Sequence, residues 1–381
     1  MYAAFVFTNH DTVPHFVPLC EESKLQSLLQ YNNSNGYVNN LYRGGKLGTA
    51  PPKEFKGDSL YHYVWEPLEP YLGNAHTVSI APVGILHKIS FAAMPSKKSQ
   101  YLVATYKIQQ YTSTRQIAEI YDSLSKTDNN VALMGGISYT VDSSSFVSRA
   151  RNIKPTKRGT KRAYSKSAWE FLPGTLSEID NIQHLFEKYG KTVLSDTGSS
   201  ASEERFKSFS GHSPRIIHLA THGFFLPDPQ SNKNDEYDTS SGFYKDPMLR
   251  TGLILAGANR TWLGKPPFAN REDGILSAYE ISQLDLSNTD LVVLSACETA
   301  LGDIEGSEGV FGLQRAFKIA GVRNLVVSLW QVPDKETSEL MTQFYTYYLS
   351  GIPAREAFIQ AQQLMRQKYT PYYWAAFVFI Q

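Results

Sequence analysis

The chain has 381 residues with 37 Lys+Arg against 36 Asp+Glu, and a formal net charge of +1 leaves no whole-molecule field for nucleic acid or an anionic membrane. Hydrophobic residues at 42% and charged residues at 19% mark a folded globular chain and exclude wholesale disorder. No apolar run approaches the roughly 20 residues needed to cross a bilayer, which excludes a helical membrane protein, and only two cysteines, Cys20 and Cys297, predict a reducing, cytoplasmic setting.

Residues 3–8 read as a strand that starts with no lead-in, as expected of a chain cut from something longer. Leu25, Leu28 and Leu29 give 20–31 a helical spacing, closed by the turn-forming run Asn32, Asn33, Ser34, Asn35, Gly36. Residues 44–57 are loop, 60–72 an amphipathic helix despite Pro67 and Pro70, 76–82 a buried strand, and 102–111 a further strand reading.

From Val131 the chain alternates strand and helix. Residues 131–134 form a strand stopped by Gly135 and Gly136. Thr175 and Glu178 fit a capping box ahead of Ile179, Ile182, Leu185 and Phe186 on one helical face, and Ser200 and Glu203 fit a second. Further strands are expected over 191–194, 215–221, 291–296, 324–329 and 374–380, with helices near 310–320, 335–349 and 353–367. Strands apolar on both faces and separated by helices imply an α/β fold, a mainly parallel sheet flanked by helices. Two insertions interrupt this order. Residues 148–166 carry eight lysines and arginines and no acid; the segment reads as a solvated surface loop, a site where the chain is cut, or, least favoured, a nucleic-acid contact. Residues 227–247 are polar and predict a mobile loop.

Ligands of an open parallel sheet bind beyond the carboxyl ends of its strands. His222 follows the expected strand 215–221 and precedes Gly223, and Cys297 follows the strand 291–296, so both fall at one edge of one sheet. An imidazole that takes the thiol proton makes cysteine a nucleophile, and acyl transfer also needs backbone N–H donors for the oxyanion. Gly223, without a Cβ, admits a carbonyl to its N–H, and the N–H of Cys297 is a second donor. The same residues also admit an ordinary reading, a buried cysteine and a His-Gly turn. His218 and His222 share a spacing of four but lack further metal ligands nearby.

The blocks Leu219-Ala220-Thr221-His222-Gly223-Phe224-Phe225 and Leu294-Ser295-Ala296-Cys297-Glu298-Thr299-Ala300 closely resemble the signatures of CHAT domains, caspase-like and separase-like cysteine peptidases often fused to tetratricopeptide repeats. Ser307-Glu308-Gly309, Ser328-Leu329-Trp330-Gln331-Val332-Pro333-Asp334, Trp374-Ala375-Ala376-Phe377, Leu172-Pro173-Gly174 and Ala81-Pro82 extend the likeness across about 60–380. Ser307 stands where the family usually has glycine, and no repeat of about 34 residues occurs in the chain. The resemblance implies a caspase-like fold with a degenerate N-terminal half (1–128) and an active half (129–381).

It further implies a cysteine endopeptidase with catalytic His222 and Cys297, oxyanion donors at the N–H groups of Gly223 and Cys297, and no metal or organic cofactor. An extended peptide would pair along the strand ending near Trp330, with Trp330, Gln331 and Asp334 contacting substrate and Asp334 receiving a basic side chain. Asp334 also suits a helix N-cap. Glu298 and Glu308 are expected to orient loops. The implied partner is a protein substrate in a prokaryotic immune or stress response, such as a gasdermin or another effector of antiviral defence, with regulation by a repeat domain or an RNA-guided complex outside this chain. Neither a membrane nor direct nucleic-acid binding is implied. The rival expectation is a catalytically silent caspase-like interaction module.

Overall fold

The computed structural model describes residues 1–29, 56–95, 100–118, 130–141, 167–226, 246–295, 308–330 and 332–381. Strands β1 (Ala3–Val6) and β2 (His15–Pro18) pair antiparallel, apart from the main sheet. Helices α1 (Glu22–Leu29), α2 (Lys56–Val64) and α3 (Glu69–Leu72) follow, then β3 (Thr77–Ile80), β4 (Lys107–Gln110) and α4 (Arg115–Ala118). The helix expected over 60–72 is broken, because Pro67 and Pro70 lack the N–H a continuous helix requires and open new turns instead.

The second part alternates regularly: β5 (Val131–Ile137), α5 (Pro173–Lys188), β6 (Val193–Gly198), α6 (Glu203–Lys207), β7 (Ile216–Leu219). Next come β8 (Gly223–Phe225), β9 (Thr251–Ile254), α7 (Asn259–Trp262), β10 (Ile275–Ser277) and α8 (Ala278–Ser282). The chain closes with β11 (Leu291–Leu294), α9 (Glu308–Ile319), β12 (Asn324–Ser328), α10 (Asp334–Leu349), α11 (Ala354–Arg366), α12 (Pro371–Trp374) and β13 (Phe377–Ile380).

Eight strands form one sheet in the order β3-β4-β13-β12-β11-β7-β5-β6, and every neighbouring pair is parallel except β12 with β13. Strands β5, β7 and β11 are wholly buried, as apolar strands covered by helices on both faces must be. Helices α5, α10 and α11 pack on one face. On the other, α9 packs on α8, and Phe317 of α9 meets Phe206 of α6 edge-on at 6.4 Å. The expected α/β class is thus the fold observed. Strands β3 and β4, from the first 128 residues, extend the same sheet through Gln110 beside Ile380, so the two expected halves share one sheet and one hydrophobic core. Among the described residues no helix is long and apolar enough to cross a membrane.

Several local expectations are corrected. The segment expected as a buried strand over 76–82 contains β3, which sits at the sheet edge with exposed and half-buried residues alternating. Strand β5 does not stop at Gly135 but runs on to Ile137 through a bulge at Gly136, whose φ of 55° a residue with Cβ adopts only with strain. The bulge explains Thr175: its hydroxyl accepts from the Gly136 N–H at 2.9 Å instead of closing a capping box, and α5 starts two residues earlier, at Pro173. In the second box the cap is Ser202, accepting from the Arg205 N–H at 3.2 Å, while Ser200 closes a turn onto Thr197.

Candidate active site

Strand β7 delivers His222. The parallel pairing of β7 with β11 sets Leu219 beside Leu294, and the Ser295 N–H continues the ladder by donating to the Leu219 carbonyl at 2.9 Å. His222 and Cys297 each come three residues after that pair in sequence. Cys297, Glu298, Gln331 and the segments 148–166 and 227–245 lie outside the described residues. Glu308 opens α9.

The His222 ring is buried, with 8% of the residue exposed. Trp169 covers it with ring centroids 4.8 Å apart, and Tyr139 packs on it at 5.0 Å. Its Nε2 lies 2.8 Å from the carbonyl of Glu170. A carbonyl can only accept, so Nε2 carries the hydrogen and, in the neutral ring, Nδ1 keeps a bare lone pair. That Nδ1 is buried and has no hydrogen-bond partner among the described residues. Burial lowers the proton affinity of His222 below the usual histidine range, and the Glu170 carbonyl together with the Glu170 and Asp334 carboxylates partly restores it.

Gly223 opens β8, the edge strand of the three-stranded sheet β10-β9-β8. The Ile254 N–H donates to the His222 carbonyl at 2.9 Å and the Leu226 N–H to the Arg250 carbonyl at 2.7 Å. These bonds identify residues 222, 224 and 226 as the hydrogen-bonded positions of the antiparallel ladder, so in the Gly223–Leu253 pair the Gly223 N–H points away from β9, toward the open edge. An outward N–H directly after a histidine with a bare nitrogen is an arrangement suited to an acyl oxyanion.

A buried polar network lies beneath. His218 Nε2 is 2.9 Å from Glu178 Oε1, His218 Nδ1 is 3.0 Å from the Tyr345 hydroxyl, and the Ser295 hydroxyl donates to Glu178 Oε2 at 3.1 Å. It joins β7, α5, α10 and the end of β11. His218 therefore faces Glu178 and Tyr345 and shares no ligand set with His222. The described residues also bring Glu203, Glu272 and Glu280 together as a candidate metal cluster, but the Lys207 ammonium takes its centre, at 2.7, 3.2 and 3.2 Å from the three carboxylates.

Of the residues expected to contact substrate, Trp330 is placed differently. Trp330 is 1% exposed and its indole N–H donates to the Tyr372 carbonyl at 2.8 Å, so its ring belongs to the core under the site. Asp334 is half-buried and is the first residue of α10, not its N-cap, which is Pro333. Its carboxylate fills the space where Gly174, at the start of α5, would carry a Cβ. Sequence reasoning missed Trp169 and Glu170, whose only signal is a Trp-Glu-Phe run between the basic insertion and Leu172-Pro173-Gly174.

Over 109 residues the chain is 32% and 31% identical to tetratricopeptide repeat protein 28 of Mus musculus and of Homo sapiens, a stretch that is 28% of this chain and only 4% of each of those proteins. Among solved structures it is similar to the Arg-specific cysteine proteinase gingipain R, with a TM-score of 0.41 and 10% identity over 72% of this chain and 54% of that one. It is likewise similar to the Saccharomyces cerevisiae separase–securin complex, with a TM-score of 0.40 and 11% identity over 77% of this chain and 14% of that one. The family model described as CHAT domain matches residues 55–381, all but the first strands and helix, and the chain therefore belongs to the CHAT-domain family.

Proposed function

We propose that the chain is a cysteine endopeptidase in which Cys297 is the nucleophile and His222 the general base and then acid. The observation that carries this reading is the state of His222: Nε2 is held by a carbonyl, while Nδ1 is bare, buried and without a partner among the described residues. Family membership and the matched register of β7 and β11 support it.

In the reaction Nδ1 takes the thiol proton and sulfur bonds to the scissile carbonyl carbon. The carbonyl π electrons move onto oxygen, where the N–H groups of Gly223 and Cys297 receive the charge. The C–N bond then breaks as Nδ1–H returns its proton to the leaving amine, and water attacks the thioester with His222 again as base, regenerating the thiol.

The substrate is a protein strand with a basic residue before the scissile bond, drawn by Asp334, a reading supported by the electrostatic influence of its carboxylate on His222. The family resemblance supports a substrate in a prokaryotic immune or stress response, such as a gasdermin.

A peptidyl acyloxymethyl ketone with Lys or Arg beside the warhead tests this reading. Labelling at Cys297 that disappears in His222→Ala is the expected result. Equal labelling of both proteins, or none in the wild type, would leave an interaction module without catalysis.

A further inference from the structure

Asn259, the first residue of α7, is 4% exposed and touches no reacting group, yet its amide is fully used. Its Oδ1 accepts from the Trp169 N–H at 2.7 Å, and its Nδ2 donates to the Trp169 carbonyl and to the Thr140 hydroxyl, both at 2.9 Å. Its own N–H donates to the Tyr139 carbonyl at 3.0 Å. One residue thus ties down the backbone beneath both rings that enclose His222, those of Trp169 and Tyr139. The pair of bonds to Trp169 reproduces what a neighbouring strand would give, an acceptor for the N–H and a donor for the carbonyl. The next residue, Glu170, supplies the carbonyl that holds His222 Nε2. The Trp169 indole is wedged between His222 and Trp262 of α7, with centroids 5.0 Å apart on the Trp262 side.

We propose that Asn259 is a positioning residue for His222: by pinning Trp169 it fixes the Glu170 carbonyl that sets the imidazole tautomer and the indole that excludes water from the ring. This rests on the peptidase reading above. Without the clamp, the short segment 167–172 between the basic insertion and α5 has no other side chain among those described that bonds to the Trp169 backbone. The Glu170 carbonyl then ceases to hold the hydrogen on Nε2. Either nitrogen can carry the proton, the ring can turn, and the imidazolium that stabilises a Cys297 thiolate loses its acceptor.

The test is the pH dependence of Cys297 alkylation by iodoacetamide in the full chain, read by peptide mass spectrometry, which needs no substrate. An unassisted thiol with pKa near 8.5 is almost wholly protonated at pH 6, whereas a histidine-paired one stays reactive. Wild type is expected to show an acid shoulder that His222→Ala abolishes. Asn259→Leu should lose that shoulder, with reactivity at pH 6 down by about tenfold or more and reactivity at pH 9.5, where the thiolate forms unaided, within about twofold of wild type. Asn259→Asp keeps the acceptor for the Trp169 N–H and should fall between. Thr140→Val, which removes a bond of Asn259 but none of those to Trp169, should match wild type.

A merely structural role predicts a lower Tm with an unchanged profile. If the shoulder depends on His222 but is undiminished in Asn259→Leu, or undiminished in Asn259→Asp should the leucine variant not fold, the positioning role is overturned. If wild type has no His222-dependent shoulder, the peptidase reading itself fails, and this inference with it.

Discussion

His222 divides its two nitrogens between two tasks, and burial sets the pH at which the second can be performed. Removal from water is the largest influence on the ring and disfavours the imidazolium, which brings its proton affinity below the ordinary histidine range. The acid limb of kcat/KM should therefore lie below the ordinary histidine value of about 6.5, and a limb above it would contradict the burial argument. Asp334 opposes that shift. It also offers a carboxylate for a basic side chain, a charge-assisted contact worth about 2 kcal/mol, or about thirtyfold in kcat/KM. Asp334→Asn should lower cleavage after Lys or Arg by that factor and leave neutral residues little changed; equal losses for both would assign Asp334 to helix stability alone. His222 was legible because it follows the expected strand 215–221 and precedes Gly223, at the carboxyl end of a parallel strand where ligands bind. Trp169, Glu170 and Asn259 were not, since a backbone carbonyl carries no residue signature and a single amide clamp has no period.

Elements meet beneath the site through the hydrogen bonds of Glu178, His218, Ser295 and Tyr345, which join α5, β7, β11 and α10. Each group is buried, so removing one partner strands another away from water. Glu178→Leu and His218→Leu should each destabilise by about 3 kcal/mol, with the double variant costing clearly less than the sum because neither polar group is then left alone. Denaturant midpoints of the four proteins measure this, and simple additivity would mean the two residues act independently. The strands β7, β11 and β12 were legible as apolar runs, but the starts of α5 and α6 were misread. Thr175 serves a strand bulge and Glu178 a buried histidine, contacts made by distant chain segments that mimic the local pattern of a capping box. The sheet β8-β9-β10 escaped notice because three- and four-residue strands carry too little alternation to register.

Across the whole molecule the eight-stranded sheet unites β3 and β4 with the site, and the stability of the fold should respond to acid through His87. That histidine lies in the 3₁₀ turn Gly84–Lys88, is 4% exposed, and burial pulls its pKa from 6.5 down to about 4. The unfolded chain then binds the proton more readily, so stability is complete above about pH 6.5 and falls as pH drops toward 4, by about 3 kcal/mol from this group. His87→Leu should flatten that part of the curve; an unchanged slope would locate the acid sensitivity elsewhere. The α/β class was legible from the alternation of apolar strands and helices. The sharing of one sheet by the expected halves was not, because β3 and β4 join it through pairing with β13, more than 250 residues later in the chain. Hydrolysis of a Lys- and Arg-containing peptide library by wild type, Cys297→Ala, His222→Ala and the double variant tests the Cys297–His222 pair most directly. Each single change should lower kcat/KM by about a thousandfold or more and the double should fall no further, whereas either single variant keeping a tenth of the wild-type rate, or the two losses multiplying, would contradict a catalytic pair.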